Sequence, residues 1–209
     1  MPSLDLESIH TLAGRVKGFL EPVEGERLYA LALEAARLGP CLEVGSYCGK
    51  STLYLGSGCK ARQATLFSID HHRGSEEQQP GELYFDPELF DPRTYCIDTF
   101  GHFRQTLKQG DLEQTVVPVV AASAVVARHW ATPLGLVFID GGHAYNTVLT
   151  DYQSWQAHVL PGGYLLFHDI YPNPDDGGQA PYQVYAKALN SGLFNELPLT
   201  GSLGVLQRR

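Results

Sequence analysis

Several stretches of this chain combine residue type and position in ways that chemistry can use. The run Glu43-Val44-Gly45-Ser46-Tyr47-Cys48-Gly49-Lys50-Ser51 places an acid, glycines and hydroxyls around the end of a short apolar segment. Three later apolar segments end in polar groups: Ile69-Asp70, Ile139-Asp140 and Phe167-His168-Asp169. His71 and His72 follow Asp70 directly, and His143 lies just beyond Asp140. A carboxylate accepts hydroxyl groups or holds a cation, and a histidine titrates near neutral pH. A single acid at a strand end is where polar residues resume anyway. Three such ends, with Glu43 in the first segment, point instead to a ligand crevice.

Glycines after a strand let a backbone approach a nucleotide closely. A phosphate-cradling P-loop needs four residues between its first glycine and Gly-Lys-Ser/Thr. Gly45 and Gly49 enclose three, and Glu43 would lie close to the phosphates. A dinucleotide loop needs G-x-G-x-x-G directly after a strand, which Gly45-Ser46-Tyr47 breaks. Gly56-Ser57-Gly58 followed by Ala61 mimics it loosely, but follows a helix and is expected to be a C-terminal turn. S-adenosylmethionine (SAM) has no phosphate. It needs close backbone approach, an acid near its ammonium and a carboxylate for its ribose diol. Glu43 and Asp70 stand where those two acids are wanted.

The elements that must position these groups follow from periodicity. Helical spacing predicts helices over residues 5–20 and 24–38, the second stopped by Gly39-Pro40. Strands are expected at Cys41–Gly45, Thr65–Ile69, Val116–Val120, Leu136–Ile139 and Tyr164–Phe167, with helices at 51–57, 97–109, 122–130, 145–159 and 181–191. Phe194–Leu199 and Ser202–Gln207 read as a closing hairpin around Thr200-Gly201. Near-continuous apolar strands separated by helices require a sheet buried on both faces. The expected fold is therefore α/β: a Rossmann-like, doubly wound, mostly parallel seven-stranded sheet with a C-terminal antiparallel β-hairpin and N-terminal helices. Residues 1–39 are expected to form a helical cap on a ligand-binding domain over 40–209. Residues 71–95 and 171–178 are polar, turn-rich loops of the kind that act as lids or binding loops.

Taken in order, these motifs resemble a known family. Glu43-x-Gly45-x-x-x-Gly49-x-Ser51 is similar to the first motif of class I SAM-dependent methyltransferases. Asp70 is similar to their ribose-binding acid, and Ala122-Ser123 to the region that touches adenine. Phe138-Ile139-Asp140-Gly141-Gly142-His143-x-Tyr145, then Asp151, then Leu160-Pro161-Gly162-Gly163, then His168-Asp169, resembles the small-molecule O-methyltransferase branch, which includes catechol-type and macrolide-sugar enzymes. The resemblance runs from about residue 25 to the C-terminus. It implies SAM as cofactor, contacted by Glu43, Gly45, Ser46, Tyr47, Gly49, Ser51, Asp70, His71, Ser123 and Asp140, and methyl transfer to a small hydroxylated molecule.

That branch holds a divalent ion, usually magnesium, with an Asp after the fourth strand and a pair after the fifth. The matching residues are Asp140, His168 and Asp169. A histidine in the set departs from the usual oxygen ligands and shifts preference toward manganese, iron or zinc. The ion would bind a substrate hydroxyl and lower its pKa. His143 is the candidate general base alongside Asp140, or else a brace for the helix beginning near Tyr145. A sharper reading gathers His71, His72, Asp140, His143, His168 and Asp169 into one metal centre. Asp151 and Trp155 read as packing or bracing residues, Cys48 as a small packing residue, and Trp130 as either a core residue or an adenine neighbour.

Composition narrows the rest. The chain has 209 residues, 44% hydrophobic and 18% charged, with a formal net charge of −8 and 15 Lys and Arg. That argues against a nucleic-acid partner, which wants clustered basic residues. No apolar run reaches membrane-spanning length, and Met1–Glu7 lacks the basic and apolar regions of a leader. Four cysteines without a C-x-x-C pair suggest reduced thiols and a cytoplasmic location, with a disulfide between two of them as the rival. The expected partner is a small molecule. The N-terminal helices either cover the active site or pair two chains as a homodimer. A metal-dependent hydrolase or oxygenase on the same fold, using the His/Asp cluster, is the competing function; a non-catalytic SAM-binding module is a third. No Gly-x-Ser-x-Gly elbow supports a serine hydrolase.

Overall fold

The computed structural model describes residues 4–209. Leu6–Ala13 forms α1, opened by the Asp5 carboxylate accepting from the Ser8 N–H. Pro22–Ala35 forms α2, where proline suits the first turn and Glu21 and Glu24 cap each other's backbone. The elements that follow are β1 (Cys41–Val44), α3 (Lys50–Ala61) and β2 (Leu66–Asp70), then the short pair β3 (Phe90–Asp91) and β4 (Cys96–Ile97). After them come α4 (Phe100–Gln109), β5 (Val116–Val120), α5 (Ser123–Ala127), β6 (Leu134–Ile139) and α6 (Tyr145–Trp155). The chain closes with β7 (Val159–Phe167), α7 (Ala180–Asn190), β8 (Phe194–Thr200) and β9 (Leu203–Arg208).

Seven strands form one sheet in the order β5-β2-β1-β6-β7-β9-β8. The first five run parallel, and β9 joins antiparallel to both β7 and β8. This is the doubly wound, mostly parallel sheet with a terminal hairpin that the alternation of elements implied. Alternate residues of β6 explain its unbroken apolar run. Leu136 and Phe138 pack with Leu28 and Leu31 of α2 and Leu53 of α3 on one face. Val137 and Ile139 pack with Trp155, Phe167 and Val184 on the other. Every residue of β1 and β6 is buried.

Several elements differ from expectation. α1 ends at Gly14, so residues 14–20 do not continue a helix, and Lys17–Leu20 instead line the ligand cavity. Gly56-Ser57-Gly58 is not a turn but lies buried inside α3. A Cβ on Gly58 would come within 2.7 Å of the Ala32 Cβ and 2.9 Å of the Tyr29 carbonyl oxygen. Close packing of α3 on α2, not chain reversal, is what glycine permits there. Cys96–Ile97 belong to a small hairpin, so α4 starts only at Phe100. β7 begins at Val159, carrying the Pro161-Gly162-Gly163 irregularity within the strand. The four cysteines are free, with Cys41, Cys48 and Cys59 buried. Among the described residues no helix is long and apolar enough to cross a membrane. The first three residues of the expected leader-free N-terminus lie outside the described part.

Candidate active site

The C-terminal ends of β1, β2, β5, β6 and β7 open into a cavity of about 720 Å³, well within the range of small-molecule sites. Its first half is built on β1 and β2. Gly45 leaves β1 with φ +85°, and a Cβ there would sit 2.1 Å from the Asp140 carbonyl oxygen. Only glycine lets this loop cross the end of β6. Asp70 then organises the loop. Its Oδ2 accepts from the Ser46 and Tyr47 N–H groups at 2.9 and 2.8 Å, and its Oδ1 from the His72 N–H at 2.7 Å. A carboxylate has about four acceptor positions, so one edge stays open to a ligand hydroxyl. Ser46 Oγ is buried in the same wall without a partner among the described residues. A polar ligand would satisfy it.

Two residues expected to touch the cofactor do not reach the cavity. Glu43 is fully buried and accepts hydrogen bonds from Ser51 Oγ (2.5 Å), Thr52 Oγ1 (2.7 Å) and Ser68 Oγ (2.8 Å). It ties the first turn of α3 to β1 and β2, and burial pushes its carboxyl up to about 7 despite those three donors. Gly49 packs toward Phe103 and Thr106. Ser51 lines the cavity, but its hydroxyl is committed to Glu43. Gly45, Ser46, Tyr47, Asp70, His71, Ser123 and Asp140 all line it.

The second half lies beyond β6 and β7. Asp140, His143 and Asp169 each offer a ligand atom, all within 4.8 Å of one another. Two carboxylates and an imidazole suit a divalent transition metal, and three protein ligands leave room for a substrate oxygen. The histidine of this set is His143, where the sequence pointed to His168. His168 is held as a cation: its Nε2 lies 3.1 Å from Glu24 Oε2, and its Nδ1 lies 3.3 Å from both Asp140 Oδ1 and Asp169 Oδ2. Burial alone would lower its pKa, but Asp140, Asp169 and Glu24 together raise it well above the usual range. A metal would have to displace the ring proton of His168, and equally that of His143, which its own acid partners also raise.

His143 is neither a free base nor a simple helix brace. Its Nε2 lies 2.8 Å from Asp169 Oδ2 and its Nδ1 2.9 Å from Glu77 Oε2. The Asp169 hydrogen bond, against burial and with help from Glu77, raises it to about 9. The two histidines in turn overcome burial and hold Asp169 well below the usual carboxylate range, while burial raises Asp140. The larger six-residue metal centre does not form. His72 is buried with its Nδ1 2.7 Å from Thr99 Oγ1 and its ring beside Phe100 and Phe103, and His71 lies on the Asp70 side of the cavity.

Sequence reasoning missed Glu24, Glu77 and the Lys17–Leu20 strap. Glu77 sits in the long polar loop already marked as a binding loop, so its neighbourhood carried a signal. Glu24 carried none. At the mouth, Phe19 packs edge-on to Tyr84 with ring centroids 5.4 Å apart, and Tyr47 lies 6.1 Å from Phe19. Lys17 pairs with Asp86 and Glu88, joining the strap to the long loop.

A doubly wound sheet with a glycine turn after β1, a loop-organising acid after β2 and an acid–imidazole cluster after β6 and β7 defines a nucleoside-cofactor enzyme of the α/β class. The family described as a methyltransferase domain matches residues 42–170, and the chain belongs to it. Solved structures agree at the level of fold. The O-methyltransferase NovP superposes with TM-score 0.69 at 14% identity, covering 90% of this chain and 80% of its own. The S-adenosylhomocysteine (SAH)-bound methyltransferase PaMTH1 of Podospora anserina gives 0.66 at 13% identity, covering 98% and 87%. The O-methyltransferase TomG of Streptomyces achromogenes, involved in tomaymycin synthesis and solved with SAM, gives 0.65 at 14% identity, covering 97% and 89%.

Proposed function

We propose that the chain transfers a methyl group from SAM to an oxygen of a small hydroxylated molecule, with a divalent cation held by Asp140, His143 and Asp169. The observation that carries this reading is one continuous cavity. It joins a nucleoside half, organised by Asp70, to an acid–imidazole cluster at the opposite end. The SAM- and SAH-bound neighbours and the O-methyltransferases among them support it. SAM supplies a sulfonium methyl that leaves sulfur as a neutral thioether when the acceptor oxygen takes it. A divalent cation supplies a Lewis acid that lowers the pKa of an acceptor hydroxyl.

The chain's own residues set the geometry. Asp70 fixes the loop backbone and keeps one edge for the ribose diol, while Ser46 Oγ offers an unused hydroxyl to the same ligand. Glu77 and Asp169 hold the His143 ring from both sides, so its orientation is set before any ligand arrives. His168 balances the charge of Asp140, Asp169 and Glu24 beneath the cluster. Phe19, Tyr47 and Tyr84 form an aromatic rim at the mouth. In-line transfer needs little proton chemistry once the acceptor is ionised, so positioning supplies most of the rate.

The test is methyl transfer from SAM to a panel of phenols, sugars and hydroxy acids, with products read by mass. Activity should fall with EDTA and return with Mg²⁺ or Mn²⁺. Asp169→Asn should cut kcat by about 100-fold or more. Transfer unaffected by EDTA and by Asp169→Asn would remove the cation from the account.

A further inference from the structure

Asp151 is a buried acid with too few partners. It lies on α6, is 5% exposed, and lines the cavity wall. Burying a carboxylate is costly unless its lone pairs are met. Among the described residues the group that relieves it is the Ser123 hydroxyl, and burial outweighs that help, pushing the carboxyl up to about 6. One hydroxyl meets one of roughly four acceptor positions. Ser123 is itself held in place, because the Trp155 indole N–H donates to its Oγ at 2.7 Å. On the cavity side Gly141 leaves the acid uncovered, since a Cβ there would lie 3.2 Å from Asp151 Oδ2. Trp155, Ser123 and Gly141 therefore present an under-satisfied carboxylate to the cavity.

Its position says what it faces. The Asp70 end of β2 neighbours the end of β5, which runs on into Ala121–Ser123. A nucleoside with its ribose at Asp70 and its sulfur toward Asp140 and Asp169 directs its base to this side, where α5 and α6 meet. We infer that Asp151 reads the base of the cofactor: its carboxylate accepts a hydrogen bond from the exocyclic amino group of adenine and rejects a nucleoside with a keto oxygen at that position. The inference rests on the SAM reading above. A keto oxygen would bring two acceptors together and leave the buried acid unpaired, the kind of mismatch on which polar sites discriminate most strongly.

The experiment is calorimetric titration of the full chain with SAH, its deaminated analogue S-inosylhomocysteine and its N6,N6-dimethyl analogue, which has no N–H to donate. Wild type should favour SAH over each analogue by roughly 100-fold or more. Asp151→Asn should bring the SAH-to-inosyl ratio below about tenfold, because an amide can donate to a keto oxygen as well as accept from an amine. Equal affinity of wild type for SAH and both analogues overturns the inference without any variant. So does Asp151→Asn that keeps the full ratio, the result expected if Asp151 only braces Ser123. If wild type binds none of the three, the SAM reading itself fails.

Discussion

At zero exposure a carboxyl must be met by its neighbours or give up its charge, and Glu43 does some of each. Three hydroxyls donate to it, yet burial raises it from its ordinary 4.5 to about 7. A raised folded pKa means that the folded state binds the proton more tightly than the unfolded chain. The stability this proton contributes is complete below about pH 4.5 and lost as pH rises past about 7. Glu43→Gln, which cannot ionise, should flatten that slope. Wild type should lose on the order of 3 kcal/mol relative to Glu43→Gln between those limits, read by denaturant titration across pH. Parallel pH profiles for the two proteins would contradict it. The acids at strand ends were legible because strand ends are where a doubly wound sheet exposes polar groups. That Glu43 braces rather than binds was not legible, since its partner Ser68 comes from a different strand. Nor was the placing of His168 against a third acid beside Asp140 and Asp169. It depends on Glu24, 144 positions away from His168 in the chain.

At the scale of elements, the alternation of strands and helices and the terminal hairpin could be read because apolar runs and turn signals are local. Helix contacts are not local, and Gly58 shows why. Glycine mid-helix normally costs about 1 kcal/mol against alanine, so the reading as a turn favoured propensity over packing. In α3 the packing of α2 wins, with Ala32 and the Tyr29 carbonyl where a methyl would go. Gly58→Ala should therefore destabilise by about 1–3 kcal/mol despite its better propensity, seen as a lower Tm. A higher Tm would mean that α2 yields at no cost. The strap over residues 14–20 is not legible in the sequence, because its apolar residues continue the spacing of α1 although the helix stops at Gly14. Lys17, which clips this strap to the long loop through Asp86 and Glu88, is partly exposed. Lys17→Ala should cost under about 1 kcal/mol of stability but weaken SAH binding several-fold, because the strap lines the cavity. Unchanged SAH affinity by calorimetry would detach the strap from the cofactor.

Across the whole molecule, Glu24 joins three distant parts. It caps α2, accepts from the Ser202 N–H and Oγ at 2.7 and 2.9 Å in the β8–β9 turn, and pairs with His168 beneath the acid cluster. Glu24→Ala leaves a buried imidazolium short of a partner, which should cost about 3–5 kcal/mol. It should also lower methyl transfer, whereas a loss of stability with unchanged kcat would mean that the tie serves folding alone. This tie makes the N-terminal helices, the terminal hairpin and the site interdependent, although the chain forms them from opposite ends. The central claim is that the strand ends form a SAM site centred on Asp70, and titration of the purified chain with SAH tests it most directly. Titration should show one site per chain, a Tm rise of roughly 5–10 °C at saturating ligand, and at least tenfold weaker binding by Asp70→Ala. No heat and no Tm shift at millimolar SAH would contradict it.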